Sequence, residues 1–337
     1  MVIELFLNTD GNTVNEFCNS LQNPNRIVKE LIIDKRKFLI ISGDKENIDV
    51  EKIKSLPFIS FVSDKEISAY FCSRSFKEEP SIVNVNGVNI GHGSFRVIAG
   101  PCAVENKEDL FETAKVLKEL GADIFRAGAY KPRTTPYNFQ GMGEEGLKLL
   151  AEVRKRYDIP VVSEILDPFD IPMAEKYLDM IQVGTRNMTN QALLKHLGKC
   201  SKPILLKRGY ASTIEDLIKA AEFIAVNGNP NVILCERGIQ TFEKQTRNTL
   251  DISAIPILHS LSHLPVVVDP SHAAGRKDII PTLVKCAIVA GADAIMVEAY
   301  NKPDTMIRPG DKNQTLTIDE FKKLMETIKK ILPFKNK

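Results

Sequence analysis

Ala294-Ile295-Met296-Val297-Glu298 is a short apolar run that ends in a carboxylate, and runs of the same kind recur through most of the chain. They lie at residues 96–99, 124–126, 160–164, 180–183, 204–207, 232–235, 265–269 and 294–298. Amphipathic stretches typical of helices fall between them, for example at residues 110–120, 147–157, 214–226 and 282–290. Nearly continuous apolar strands indicate a parallel sheet that is buried on both faces. Eight such repeats favour a closed (β/α)8 TIM barrel, and the absence of Gly-x-Gly-x-x-Gly after the first run weakens the dinucleotide-binding alternative.

Residues 1–75 follow a different pattern and predict a small domain of their own. The predicted elements are a strand at 2–7, a helix at 12–21, strands at 26–33 and 38–41, a helix at 50–55 and a strand at 58–62. This β-α-β-β-α-β order is typical of a ferredoxin-like α+β domain. The segment has no dense cluster of catalytic side chains, so we expect a regulatory or assembly role, with a stabilising appendage as the alternative.

Residues 76–94 are expected to link this domain to the barrel, which we place at residues 95–337. From Val83 to Ile90, apolar and polar residues alternate around Asn86-Gly87. Asn-Gly between two alternating runs is a strong signal for a β-hairpin, so the predicted link contains one.

The overall composition predicts an ordinary globular protein and excludes several classes. The chain has 337 residues, of which 43% are hydrophobic and 26% charged, and its net charge of +2 gives no sign of a nucleic-acid or membrane partner. Its six cysteines form no Cys-x-x-Cys pair, which argues against a disulfide framework. Apolar runs approaching about 18 residues and a signal peptide are both missing, so we expect a cytoplasmic enzyme.

Ionisable residues follow every predicted barrel strand. In such barrels the catalytic side chains gather at the carboxyl ends of the strands. The residues at these ends are Cys102, Arg126 with Lys131, Glu164, Arg186, Lys207 with Arg208, Glu236 with Arg237, Asp269 with His272, and Glu298. The recurrence favours an active site at this end of the barrel over ordinary solvated loop charge.

Three of these residues form a candidate metal site. Cys102, His272 and Glu298 follow the first, seventh and eighth strands, which become neighbours when the barrel closes. A thiolate, an imidazole and a carboxylate together suit manganese, iron, cobalt or zinc. Asp311, in the long loop after Glu298, is a candidate fourth ligand. Taken singly, Cys102 could equally be a buried small apolar residue.

A second subset of the strand-end residues predicts an anion site. Six cations in one mouth require anions to compensate them, so the expected ligands carry several negative charges, such as two phosphates and a carboxylate. In the Lys131-Pro132-Arg133-Thr134 stretch, the arginine supplies a planar set of donors, the lysine a point charge and the threonine a hydroxyl. The proline restricts the backbone of this stretch. The cations are Arg126, Lys131, Arg133, Arg186, Lys207 and Arg237. Weaker candidates, which could orient the ligands, are Glu105, Gln140, Gln182, Asn187 and Asp269.

Six motifs together resemble the 3-deoxy-D-arabino-heptulosonate 7-phosphate (DAHP) synthase family, in its short bacterial subgroup related to the 3-deoxy-octulosonate phosphate synthases. The resemblance covers about residues 82–332. The motifs are Gly100-Pro101-Cys102, Lys131-Pro132-Arg133-Thr134, Gly184-Thr185-Arg186-Asn187, Leu206-Lys207-Arg208-Gly209, Glu236-Arg237-Gly238 and Asp269-Pro270-Ser271-His272.

The resemblance implies a metal-dependent condensation of phosphoenolpyruvate with D-erythrose 4-phosphate and water, which releases phosphate and opens the shikimate pathway. It implies metal ligation by Cys102, His272, Glu298 and Asp311. The family's usual Asp-Gly-x-Gln is Asp311-Lys312-Asn313-Gln314 here, so Asp304 remains a rival fourth ligand.

The resemblance also assigns substrate contacts. Phosphoenolpyruvate would be held by Arg126, Lys131, Arg186, Lys207 and Arg237. The aldose phosphate would be held by Arg133 and Thr134, and the further substrate-binding residues are Pro132, Glu164, Thr185 and Asp269. The catalytic candidates are Lys131, Cys102 and His272, and Lys131 could move a proton if neighbouring arginines lower its pKa.

Partners and competing functions follow from the same resemblance. The N-terminal domain resembles the feedback module of some members, which implies tyrosine or phenylalanine as a possible effector, and a homotetramer is expected. The main alternative is a 3-deoxy-octulosonate 8-phosphate synthase that uses arabinose 5-phosphate, although the Lys131 to Thr134 loop favours the four-carbon aldose. More distant alternatives are a metal-dependent aldolase on the same barrel and an inactive sensor.

Overall fold

The computed structural model describes residues 1–33, 35–63, 69–132, 135, 137–302 and 312–335. The chain divides into two compact units, Met1–Tyr70 and Phe71–Lys337. The segment predicted as a link, residues 76–94, lies within the second unit. Among the described residues, no helix is both long and apolar enough to span a bilayer.

The first unit is built in the order β1-α1-β2-β3-α2-β4. The elements are β1 Val2–Leu5, α1 Gly11–Leu21, β2 Arg26–Ile33, β3 Arg36–Gly43, α2 Val50–Lys54 and β4 Ile59–Ser63. Within the described residues, the strands form one antiparallel sheet in the order β2-β3-β1-β4. This connectivity is the ferredoxin-like one, so the predicted fold of this unit is confirmed.

The first unit has its own apolar core. Alternate residues of β1, such as Ile3 and Leu5, are buried against Val14 of α1 and Ile53 of α2. Each helix is preceded by an N-cap aspartate whose side chain accepts backbone hydrogen bonds, Asp10 for α1 and Asp49 for α2. The alternation of buried and exposed side chains along the strands, together with the capped helices, therefore accounts for the ferredoxin-like fold of this unit.

The predicted hairpin is present in the second unit. Strands β5 Val83–Val85 and β6 Val88–Ile90 pair antiparallel around Asn86-Gly87, both of which have positive φ. Its apolar side chains Val83, Val85 and Ile90 are buried in the same cluster as residues from the interior of the barrel. The hairpin is thus part of the barrel core.

Eight parallel strands of the described residues close into a barrel, in the order β10-β11-β12-β13-β14-β7-β8-β9. The predicted TIM barrel is therefore confirmed. The strands are β7 Arg96–Gly100, β8 Ile124–Arg126, β9 Val161–Ile165, β10 Met180–Val183, β11 Ile204–Lys207, β12 Val232–Glu236, β13 Val266–Val268 and β14 Ala294–Glu298. They agree with the predicted runs to within a residue or two, because strands buried on both faces are apolar along their whole length.

Helices follow the strands around the barrel. They are α3 Lys107–Glu119, α4 Glu144–Tyr157, α5 Ile171–Tyr177, α6 Gln191–Leu197, α7 Ile214–Ala225, α8 Ala254–Leu261, α9 Pro270–Ala274, α10 Ile280–Val289 and α11 Ile318–Ile331. The predicted starts of α3 and α4 were wrong by about a turn. Their first turns are polar and acidic, which suits the positive end of a helix but gives no apolar signal.

Glycine permits one close approach that shapes the mouth of the barrel. A Cβ atom on Gly100, at the end of β7, would lie 1.9 Å from the carbonyl oxygen of Arg126 at the end of β8. A side chain at this position would force the two strand ends apart. Gly100 therefore allows Cys102 and Arg126, which follow it, to converge.

Candidate active site

The structure brings Cys102, His272 and Glu298 together at the carboxyl ends of the barrel strands. One ligand atom from each residue lies within 4.8 Å of the others. Cys102 follows β7, His272 lies in α9 after β13, and Glu298 ends β14, three strands that adjoin in the barrel. Closure of the barrel therefore assembles a donor set that fits a borderline divalent ion.

Hydrogen bonds to Asp269 orient His272. The Asp269 carboxylate accepts from the backbone N–H of His272 at 3.0 Å and lies 2.7 Å from its Nδ1. The other ring nitrogen, Nε2, lies 3.2 Å from Oε1 of Glu298. Burial alone would raise the pKa of Asp269, but attraction by His272 and Lys207 outweighs it and holds that pKa well below its usual range. Asp269 is thus an ionised partner that turns Nε2 toward the cluster.

Glu298 is fully buried yet ionised. Burial raises the pKa of its carboxyl group, but His272, Arg126 and Lys131 lower it well below the usual range. Arg126 Nη1 donates to Oε1 at 2.9 Å, and the backbone N–H of Glu298 donates to Ser271 Oγ at 3.0 Å. Arg126 thus anchors one oxygen of the carboxylate, and Ser271 anchors the backbone of Glu298.

Lys131 lies against Cys102. Its Nζ is 2.9 Å from the Cys102 sulfur and 2.9 Å from the Cys102 carbonyl oxygen. Desolvation and Arg126 lower the pKa of Lys131, but Cys102 and Glu298 outweigh them and the net pKa is raised. Arg126 thus acts in the predicted direction, but the net shift is upward, so the lowered pKa that proton transfer by Lys131 would need is not found among the described residues.

A cavity opens beside this cluster and is lined by most of the predicted substrate residues. Its lining residues are Cys102, Arg126, Lys131, Pro132, Glu164, Gln182, Gly184, Thr185, Arg186, Lys207, Tyr210, Arg237, Arg247 and His272. Asp269 and Glu298 lie behind this surface, in contact with residues that line it. The predicted residues Arg133, Thr134, Asp304 and Asp311 lie outside the described residues. Six lysine and arginine side chains line this one opening, which makes the cavity a candidate anion site.

Arg126 has an unused donor. Its side chain is buried, and Nη1 donates hydrogen bonds to the Glu298 carboxylate and to the carbonyl oxygen of Pro101. Among the described residues, its Nε has no hydrogen-bond partner. A buried N–H without a partner costs about 1–3 kcal/mol, so the position favours a bound anion that accepts from it.

Lys207 and Arg237 are held by partners on their inner side. Lys207 Nζ donates to Asp269 Oδ2 at 2.5 Å, and Arg237 donates to Asn248 at 2.7 Å and to the carbonyl oxygen of His272 at 3.0 Å. The ring of Tyr210 lies 4.9 Å from the Arg237 guanidinium. These contacts orient the two cations, both of which line the cavity.

Two lining residues, Tyr210 and Arg247, were missed from the sequence. Tyr210 directly follows the Lys207-Arg208-Gly209 motif, and its ring also lies 5.8 Å from the Arg186 guanidinium. Proximity to that motif was a usable signal for Tyr210. Arg247 lies far from any strand end, so the position of a strand could not point to it.

The weaker candidates divide between the cavity and its surroundings. Gln182 Nε2 donates to Glu164 Oε2 at 3.0 Å inside the cavity. Gln140 instead donates to backbone carbonyls of its own loop, and Asn187 to the carbonyl oxygen of Leu166 at 3.3 Å. Of the weaker candidates, Gln182 is the one that lines the described cavity.

Arg208 and Glu236 also follow strands but do not line the cavity. Arg208 Nη1 donates to Glu236 Oε2 at 2.8 Å and to Asp251 Oδ2 at 2.9 Å, and both Arg208 and Glu236 are buried. Glu236 also accepts from the backbone N–H of Gly238 at 2.6 Å. This network joins β12 to the loops around it, so its role is structural.

We expect Glu236→Ala to destabilise the barrel by about 3 kcal/mol, because it leaves a buried guanidinium without its main partner. The measurement is the thermal midpoint of the barrel transition with the purified chain. The matched control is Glu215→Ala, whose pair with Lys219 at 2.7 Å is solvent-exposed and should contribute little. Equal shifts in the two variants would contradict a structural role for the buried network.

Comparison with known proteins decides the family. A model of the DAHP synthetase I family matches residues 74–333. The chain belongs to this family. Phospho-2-dehydro-3-deoxyheptonate aldolase from Thermotoga maritima is 46% identical over 296 residues, which cover 88% of this chain and 87% of that protein. A 2-dehydro-3-deoxyphosphooctonate aldolase from Desulfosudis oleivorans is 28% identical over 251 residues, which cover 69% and 89%.

Solved structures of the family include the same organism's enzyme. The crystal structure of the Thermotoga maritima DAHP synthase has a TM-score of 0.76 and 41% identity, and the match covers 98% of this chain and 96% of that one. A truncated form of the enzyme has a TM-score of 0.73 and 46% identity, covering 79% of this chain and 97% of that one. The family assignment therefore has support along nearly the whole chain.

Proposed function

We propose that this chain condenses phosphoenolpyruvate with D-erythrose 4-phosphate and water to give DAHP and phosphate, the first step of the shikimate pathway. The observation that carries the proposal is a cation-lined cavity that opens directly onto the Cys102, His272 and Glu298 cluster. Two phosphorylated substrates need several cations, and an aldehyde acceptor needs an electrophilic partner beside them. Both features meet in this cavity, in a chain 46% identical to a phospho-2-dehydro-3-deoxyheptonate aldolase.

The proposed site for phosphoenolpyruvate is the part of the cavity beside the Cys102, His272 and Glu298 cluster. Its phosphate and carboxylate would be bound by Arg126, Lys131, Arg186, Lys207 and Arg237. The unused Nε of Arg126 supports this placement, since it lacks a partner among the described residues until a ligand arrives. Arg237 and Lys207 are held by Asn248 and Asp269, so their geometry is set before the substrate binds.

Cys102, His272 and Glu298 would hold a divalent ion, with Asp311 as the proposed fourth ligand and Asp304 as its rival. The donor set is compatible with manganese, iron, cobalt or zinc, and does not by itself select one of them. When bound, such an ion would supply Lewis-acid polarisation of the aldehyde oxygen. Asp269 keeps His272 in the orientation that such ligation requires.

Carbon–carbon bond formation occurs between the methylene carbon of phosphoenolpyruvate and the aldehyde carbon. Water then adds at the adjacent carbon, and phosphate leaves as the tetrahedral intermediate collapses. Lys131 remains cationic, because Cys102 and Glu298 raise its pKa, and it stabilises negative charge that develops beside the cluster. The surrounding arginines hold the two substrates within reacting distance.

Arg133 and Thr134 would bind the phosphate of the aldose, with Pro132 shaping the loop between them and Lys131. Glu164 and Thr185 line the same cavity and would contact the substrates on the side of β9 and β10. This division assigns the cations of the described cavity to phosphoenolpyruvate, and Arg133 with Thr134 to the sugar phosphate.

The decisive experiment is release of phosphate from phosphoenolpyruvate, with erythrose 4-phosphate or arabinose 5-phosphate, in the presence of manganese or of a chelator. Metal-dependent release with the four-carbon sugar supports the proposal. Release with arabinose 5-phosphate alone would instead support a 3-deoxy-octulosonate 8-phosphate synthase. One 2-dehydro-3-deoxyphosphooctonate aldolase is 28% identical to this chain. No release with either sugar would refute both.

The first unit is proposed to be a regulatory domain that binds tyrosine or phenylalanine, in a homotetramer. Deleting residues 1–70 should preserve condensation and remove inhibition, because this unit has its own core and the active-site residues all lie in the second. The measurement is initial rate against tyrosine and phenylalanine concentration, for the full chain and the deletion variant. Inhibition that persists in the shortened chain would place the effector site elsewhere.

A further inference from the structure

We infer that Gln314 positions Glu298 for metal binding, and that Arg247 fixes the orientation of the Gln314 amide. This role rests on the metal site proposed above and concerns side chains outside its ligand set. Gln314 Nε2 donates to Glu298 Oε2 at 2.7 Å, and Gln314 Oε1 accepts from Arg247 Nη1 at 3.0 Å. Gln314 is completely buried.

The chemistry of the neighbours allows one orientation of the amide. A guanidinium only donates hydrogen bonds and a carboxylate only accepts them. Rotating the amide by half a turn would place its oxygen against the Glu298 carboxylate and its NH2 group against Arg247. Both contacts would become repulsive, so Arg247 keeps the NH2 group directed at Glu298.

Gln314 donates to one oxygen of the Glu298 carboxylate, and His272 lies near the other. Its amide binds Oε2, whereas Oε1 lies 3.2 Å from His272 Nε2 and 2.9 Å from Arg126 Nη1. Without this hydrogen bond the carboxylate could rotate about its terminal torsion, which is a soft one. The Gln314 contact therefore fixes the plane of the carboxylate, with its other oxygen beside His272 and Arg126.

The backbone around Gln314 is anchored to the same strand end. The N–H of Leu316 donates to the carbonyl oxygen of Glu298 at 2.9 Å, and the N–H of Tyr300 donates to the carbonyl oxygen of Leu316 at 3.0 Å. On the other side, the N–H of Lys277 donates to the carbonyl oxygen of Asn313 at 2.8 Å. Gln314 is thus held by backbone contacts on both sides, as a positioning residue must be.

Arg247 is tied to the helix that carries His272. Its N–H donates to the carbonyl oxygen of Ala274 at 2.9 Å, and the N–H of Asn248 donates to that of Ala273 at 2.8 Å. The Arg247 side chain is exposed and lines the mouth of the cavity. Arg247 and Gln314 thereby connect the helix of one proposed ligand to the carboxylate of another.

The test is cobalt affinity of the full chain without substrates, measured from the visible absorption of bound Co²⁺ against a competing chelator. Gln314→Met keeps the length of the side chain and removes both hydrogen bonds, so we expect affinity to fall about 10- to 100-fold. The thiolate-to-cobalt absorption from Cys102 should persist at saturating Co²⁺, which distinguishes misorientation of Glu298 from collapse of the site.

Arg247→Met gives a second variant that alters an exposed side chain and leaves the core intact. We expect a smaller loss of cobalt affinity than in Gln314→Met. The double variant Arg247→Met/Gln314→Met should bind cobalt as tightly as Gln314→Met alone, because Arg247 acts through Gln314. The matched control is Gln245→Met, an exposed amide two residues away, which should bind cobalt like the wild type.

Three results would overturn the inference. Equal cobalt affinity in wild type and Gln314→Met would remove the positioning role while leaving the metal site in place. Additive losses in the double variant would show that Arg247 does not act through the amide. Failure of the wild-type chain to bind cobalt would refute the proposed metal site, and the inference with it.

Discussion

Cys102→Ser should reduce metal-dependent phosphate release to near the background rate. The serine hydroxyl stays protonated at neutral pH and is a poor ligand for the borderline ions that the thiolate suits. Loss of a partner behind a metal ligand typically costs 10- to 100-fold in affinity or activity, so loss of a ligand itself should cost more than about 100-fold. The measurement is turnover with saturating substrates across a manganese titration, together with the amount of metal retained after gel filtration.

A second buried cysteine provides the matched control for this substitution. Cys235 lies on β12 in the apolar interior of the barrel and is not part of the candidate metal cluster. Cys235→Ser changes the same atom type at a comparably buried site, so it should keep metal binding even if it lowers the thermal midpoint. Near-normal turnover and bound metal in Cys102→Ser would reject the ligand assignment.

Arg126→Lys should lower kcat/KM for phosphoenolpyruvate by about 100-fold. Lysine keeps the positive charge beside Glu298 but removes Nε, the donor that has no partner among the described residues. Loss of charge-assisted hydrogen bonds worth about 3 kcal/mol in total corresponds to that factor. Steady-state kinetics at saturating aldose and metal provide the measurement, with phosphoenolpyruvate as the varied substrate.

The control for Arg126→Lys is Arg96→Lys on β7. Arg96 begins that strand, at the end of the barrel opposite the cavity. Its Nη1 lies 3.4 Å from Oδ1 of Asp123. We expect its kinetic constants to stay close to those of the wild type. An Arg126→Lys enzyme with unchanged kcat/KM would show that the buried donor does not face the substrate.

Much of the barrel could be predicted because its strands are apolar along their length. The run at residues 294–298 coincides with β14, and the run at residues 204–207 coincides with β11. Helix starts were harder to predict, since the polar first turn of α3 carries Glu108 and Asp109 and lacks the apolar period that marks the rest of the helix.

The candidate site was predictable to the extent that its residues occupy strand ends or motifs. Cys102, His272 and Glu298 follow strands that a barrel must bring together, so their proximity follows from the topology. Lys131 lines the cavity, and the direction of its pKa shift depends on its distance from Cys102. That distance is a property of the folded loop and has no counterpart in the sequence pattern.

The sequence by itself determined the order of elements, the closed barrel and the set of ionisable residues at its mouth, because hydrophobic period and strand ends are local features. Only the tertiary structure decided which polar groups meet. Gln314 contacts Glu298 across 16 positions and Arg247 across 67, and neither contact follows from a period or a spacing. Similarly, Arg208 and Glu236 follow strands as the proposed ligands do, yet they turn toward each other and brace the barrel. Side-chain pairing between loops depends on three-dimensional proximity, which a one-dimensional pattern does not specify.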